Sequence, residues 1–268
     1  MGRSDAFTLE TARLCATLSA IAYRPFERST SDLADMRADL AFDGHHLLGT
    51  LDAGGTQAIV VGCGPAAILA FRGTELDGRD ILTDIDARMT RDGAHRGFTR
   101  AWGQVEAKTR DLLTDTGVTP GLGGAGRPLI VCGHSLGGAL AVLAGLKLAA
   151  DGVDVAAVYS FGAPRLGRAE VTVWRPTDPP VYRVAAAGDP VPWVPFLAMG
   201  YRHAGQLFYI DPAKRIRTSP SSVVQIGHMA RWVLLALAEG QTPFKTHRVR
   251  RYGELLSPIA AQPASDRR

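Results

Sequence analysis

Five consecutive residues, Gly133-His134-Ser135-Leu136-Gly137, place a serine two positions from a glycine on either side. In the Gly-x-Ser-x-Gly pattern a sharp turn between a strand and a helix lifts the serine hydroxyl clear of a sheet, and side chains at the glycines would collide with the flanking elements. With 30 glycines in 268 residues, the pattern alone is weak. Its setting strengthens it: the apolar run Pro128 to Cys132 precedes it and the Ala/Leu-rich stretch Leu136 to Ala150 follows, giving the strand, turn and helix the pattern requires. Ser135 is therefore read as a nucleophile, and the backbone N–H of Leu136, the residue after it, as an oxyanion donor.

A serine hydroxyl is a poor nucleophile at neutral pH; a histidine must take its proton and a carboxylate must orient that histidine. On sheets with this turn the acid and then the histidine follow the serine in the chain. Asp189 ends the run Val181 to Gly188, at the C-terminal end of a strand where such sites gather, and is the preferred acid. Asp178, before that strand, and Asp211, one strand later, are the alternatives. Three histidines lie downstream. His203, at a strand entry, reads as a structural imidazole, while spacing does not separate His228 from His247.

These residues need a scaffold. Apolar spacing predicts a helix from Leu9 that stops at Tyr23-Arg24-Pro25, and helices over Gly97 to Asp115, Leu136 to Ala150, Val223 to Ala238 and Lys245 to Leu256. Short apolar runs predict strands at Thr56 to Val61, Ala66 to Phe71, Pro128 to Cys132, Val155 to Phe161, Val181 to Ala186 and Gln206 to Ile210, the first two joined by a tight turn at Gly62 to Pro65. Strands alternating with helices indicate the α/β class, a mostly parallel sheet covered on both faces. No repeat or Ser/Pro-rich linker divides the chain, so residues 1–256 are expected to form one domain and 257–268 a frayed tail.

Composition excludes other classes. A hydrophobic fraction of 46% with 21% charged residues is that of a globular chain, not a disordered, collagenous or coiled-coil one. The longest apolar run able to continue a helix, Trp232 to Ala238, is far short of the roughly 20 residues that cross a bilayer. The first ten residues lack the apolar segment of a secretory leader, so a cytoplasmic location is the default expectation, with export by another route as the alternative. Cys15, Cys63 and Cys132 lie among apolar neighbours and are expected to be buried thiols.

The net charge is +4, and the excess is concentrated between Arg202 and Arg251, where nine Lys/Arg face two Asp/Glu. No nucleic-acid motif accompanies that stretch, so a solvated basic face is the plain reading. The arginines 248, 250 and 251 beside His247 could favour anionic head groups. Gly121 to Gly126 fits Gly-x-Gly-x-x-Gly, but it precedes a strand instead of following one, so no dinucleotide is expected. His45-His46 has no partner at metal-ligand spacing, and no metal is expected.

Taken together, eight segments resemble the class 3 (fungal-type) lipase family of α/β-hydrolases, in a bacterial-looking version: Ala20 to Tyr23, Phe71 to Thr74, Asp80 to Asp84, His95 to Phe98, Gly133 to Gly138, Phe161 to Arg165, Val184 to Pro192 and Tyr201 to Gly205. The resemblance implies the α/β-hydrolase fold, acyl-ester or lipid substrates with peripheral contact at lipid surfaces, and no cofactor. It supports Ser135 and Asp189, favours His247 through His247-x-x-x-x-Tyr252, and makes His203 structural. Thr246 stands where an acidic residue often precedes the family's histidine. It puts a second oxyanion donor at Thr74 and a lid at Glu75 to about Thr83, whose polar residues imply weak interfacial activation. A phospholipase or acyltransferase with the same triad, or a silent lipid-binding homologue, are the alternatives.

Overall fold

A computed structural model describes residues 7–74, 88–119, 126–168, 172, 175–239 and 247–257. The chain starts with helix α1 (Leu9–Ile21), capped by Thr8, whose hydroxyl accepts the N–H of Thr11. Helix α2 (Thr30–Phe42) follows, capped in the same way by Ser29. Three strands come next, β1 (His46–Ala53), β2 (Thr56–Cys63) and β3 (Ala66–Phe71), and then helix α3 (Arg96–Asp115). Strand β4 (Leu129–His134) feeds helix α4 (Leu136–Ala150), and strands β5 (Val155–Phe161), β6 (Val181–Ala186), β7 (Gln206–Ile210) and β8 (Ile216–Thr218) complete the sheet. Helices α5 (Ser222–Ala238) and α6 (Val249–Leu256) end the described chain.

The eight strands lie side by side in chain order. Strands β3 to β7 run parallel, while β1, β2 and β3 form an antiparallel meander and β8 pairs antiparallel with β7. The α/β expectation holds, with an antiparallel margin on each side. Two-residue alternation divides the core. Val60, Leu69, Phe71 and Val131 pack under α3 and α4, whereas Ile59, Ile68, Ala70, Tyr159 and Phe208 pack with α1, α2 and α6. Leu69 and Phe71 are fully buried, and burial on that scale contributes about 1.5–3 kcal/mol per side chain. This core fixes the C-terminal ends of β3, β4, β5 and β6, where the chemistry-bearing residues lie.

Cys15 and Cys132 are buried as expected, but Cys63 is only half-buried because it ends a strand at the hairpin turn. The last helix is shorter than its apolar spacing predicts: it starts at Val249, and His247 sits in the turn before it. The expected lid and the tail from residue 258 lie outside the described residues.

Candidate active site

Ser135 occupies the single-residue corner between β4 and α4, at φ 58° and ψ −130°. A non-glycine residue held there stores about 1–3 kcal/mol of strain. Close backbone packing imposes it: a Cβ at Gly137 would lie 2.6 Å from the Arg72 carbonyl carbon, and one at Gly133 would run into the Gly137 carbonyl. The Ser135 N–H is fixed by the Phe161 carbonyl at 2.9 Å, so β5 also holds the corner. The hydroxyl thus sits at the N-terminus of α4, where unpaired N–H groups and the helix dipole favour negative charge.

Asp189 follows β6 through the turn Ala187-Gly188, and His247 enters from the C-terminal side of the chain. All three side chains are buried. His247 Nε2 lies 2.8 Å from Ser135 Oγ, and His247 Nδ1 lies 3.0 and 2.9 Å from Asp189 Oδ1 and Oδ2. Asp189 is held in turn by the Val191 N–H, which donates to Oδ1 at 2.9 Å, and by the Tyr252 hydroxyl, which donates to Oδ2 at 2.6 Å. The arrangement can move a proton from a hydroxyl to an imidazole whose other nitrogen faces an anchored carboxylate.

Alternatives are engaged elsewhere. His228, on α5, hydrogen-bonds the Tyr209 hydroxyl through Nδ1 at 3.2 Å and stacks on that ring. His203 donates from Nε2 to the Pro192 carbonyl at 2.8 Å, and burial, then the nearby Arg183 and Arg165, hold its pKa well below the usual imidazole value. Asp178 accepts the Arg175 N–H in an exposed turn, and Asp211 is paired with Arg215 and Arg217.

Sequence reasoning named Tyr23, His134 and Tyr252 but gave them no role. His134 packs its ring against that of His247, centroids 4.6 Å apart, and its Nδ1 meets the Tyr23 hydroxyl at 2.9 Å. Burial, and secondly His247, push the His134 pKa well down, so it stays neutral beside His247. The fully buried Tyr252 has its phenol pKa raised by burial and then by Asp189, which keeps it a donor. The five-residue step from His247 to Tyr252 was the available signal. Thr74 follows Gly73, whose position lies so close to Ser135 that an added Cβ would be 3.2 Å from the serine Cβ. Thr74 and the Leu136 N–H thus flank the Ser135 corner from β3 and α4.

Residues 68–199 match the family model described as Lipase (class 3). That segment runs from β3 through Ser135 to Asp189. The match covers just under half of the chain. The secreted mono- and diacylglycerol lipase A of Penicillium cyclopium is 30% identical over 165 residues, 59% of this chain and 52% of that protein. Secreted mono- and diacylglycerol lipase 1 of Fusarium solani is 28% identical over 196 residues, 70% and 57% respectively. The chain spans little more than half the length of these relatives. The crystal structure of a lipase from Rhizopus microsporus var. chinensis superposes with a TM-score of 0.61 at 25% identity, covering 83% of each chain. With its eight-stranded, mostly parallel sheet, the chain therefore has the α/β-hydrolase fold. Two expectations are corrected. These relatives are fungal, which removes the support for a bacterial-looking version, and they are named as secreted, which overturns the cytoplasmic default.

Proposed function

We propose that this chain is a class 3 lipase, a serine carboxylic-ester hydrolase acting on acylglycerols. One observation carries the reading: His247 stands 2.8 Å from Ser135 Oγ and 2.9 Å from Asp189 Oδ2. Ser135 Oγ attacks the ester carbonyl as His247 Nε2 takes its proton, and Asp189 stabilises the imidazolium. The tetrahedral oxyanion is met by the Leu136 N–H and by Thr74; one such donor is typically worth on the order of 100 to 1,000-fold in turnover. The alcohol leaves with the proton from His247, and a water activated by the same imidazole releases the acid.

No step calls for a cofactor. The names of the relatives favour mono- and diacylglycerols as substrates and secretion as the setting, and we extend both to this chain. The single continuous sheet supports treating residues 1–256 as one domain. Among the described residues no helix is long and apolar enough to cross a membrane, so contact with lipid is proposed as peripheral. The test is release of fatty acid from emulsified diacylglycerol by the wild type, His247→Ala and His228→Ala. Activity lost only in His247→Ala supports the reading; activity lost only in His228→Ala removes it.

A further inference from the structure

Among the described residues, β6 and β7 border a cavity. It measures about 650 Å³ and lies between Arg183, Leu207 and Tyr209 on those strands, Trp193 and Phe196 on the loop after Asp189, and the first turns of α5. That volume is within the range of small-molecule sites.

Two guanidinium groups line it. The Arg183 side chain makes no hydrogen bond or ion pair with any described residue, and its buried Nε has no partner. Arg165 donates from one terminal nitrogen to the Trp193 and Pro195 carbonyls, and its buried Nε has no partner among the described residues. Burial, and secondarily neighbouring arginines, lower both pKa values to about 10, which still leaves two full charges at neutral pH. Asp189 is the one carboxylate among the described lining residues, and its oxygens are taken by His247, Tyr252 and Val191. Buried charges without partners are costly, so buried donors left unpaired point to an absent acceptor.

Much of the remaining wall is apolar, and Phe196, Leu197 and Ile226 open it to solvent at 62%, 53% and 53% exposure. A bare inorganic ion would leave those walls unused. We propose that the cavity is a fatty-acid site, with the carboxylate on Arg183 and Arg165 and the acyl chain along Trp193, Phe196 and Ile226. It adjoins the Asp189 loop but does not include Ser135, so it is a second site beyond ester cleavage. Its test requires no turnover.

Decanoate, decanol and inorganic phosphate are titrated calorimetrically into the wild type, Arg183→Met and Leu207→Glu. Leu207 is the direct cross-strand partner of Arg183, so glutamate there supplies an internal carboxylate to the orphaned guanidinium while β6 and β7 stay paired. Wild type is expected to bind decanoate at one site, about tenfold or more tighter than decanol or phosphate, and both variants to weaken it by about tenfold or more. Unchanged decanoate affinity in folded Leu207→Glu overturns the proposal, as does decanol or phosphate binding as tightly as decanoate, or no decanoate binding to the wild type.

Discussion

Tyr252 donates its hydroxyl to Asp189 Oδ2 at 2.6 Å, the same oxygen that lies 2.9 Å from His247 Nδ1. The carboxylate behind the histidine is therefore anchored by the helix that follows that histidine. Tyr252→Phe keeps the buried ring and removes the bond. Turnover should fall about three- to tenfold with KM little changed, at a stability cost of about 1–2 kcal/mol. Steady-state kinetics with a soluble ester checks it; a raised KM at unchanged kcat would contradict the positioning role.

The corner at Ser135 depends on contacts that admit no side chain. Gly137→Ala puts a Cβ 2.6 Å from the Arg72 carbonyl, and relieving that overlap should cost about 1–3 kcal/mol and displace the serine. Gly103→Ala, on α3 with nothing within 4 Å of the added atom, should instead stabilise by about 0.5–1 kcal/mol. Urea melts of the two variants separate a packing requirement from a general intolerance of substitution.

Arg72 ties β3 to the segment after α1. It donates to Glu27 Oε1 and Oε2 at 2.8 and 2.9 Å and from Nε to the Ala22 carbonyl at 2.6 Å, and its side chain is only 6% exposed. Lysine cannot reproduce that fork. Arg72→Lys is expected to lose about 1–3 kcal/mol and, by loosening the strand end before Gly73-Thr74, to lower kcat. A variant with wild-type melting and wild-type kcat would show that the fork does not support the Thr74 side of the site.

Acid should weaken the fold before it protonates the carboxylates. His134 and His203 have folded-state pKa values well below the usual value of 6.5. Unfolded chains therefore bind more protons there, so their contribution is complete above about pH 6.5 and is lost as pH falls through that value toward the folded pKa values. Each adds a slope of at most about 1.4 kcal/mol per pH unit. Melting temperature should drop between pH 7 and 5, and His203→Gln, which keeps a donor for the Pro192 carbonyl, should make the drop shallower. An unchanged slope in that variant would contradict the assignment.

Much of this arrangement is legible in the sequence because its signals are local. The corner is written in Gly133 to Gly137, and the expected bounds of β3, α4, β5, β6 and β7 agree with the structure. Helix α2 escaped because it buries only Met36 and Leu40, leaving little apolar period. Strand β1 is an edge with a mostly half-buried pattern, and β8 has three residues. The choice between His228 and His247 is a matter of three-dimensional packing: His228 lies within the more apolar helix α5, where Tyr209 holds it. Nor does the sequence mark Arg183 as unpaired, since that depends on Leu207 lying opposite it.

The central claim is that Ser135 is the nucleophile of an ester hydrolase. The most direct measurement treats the protein with a p-nitrophenyl alkylphosphonate, follows residual ester hydrolysis, and maps the adduct by peptide mass spectrometry. One adduct per chain on Ser135, rising in step with lost activity and absent in Ser135→Ala, is the expected result. Inactivation with the adduct on another residue, or ester hydrolysis retained by Ser135→Ala, would contradict it.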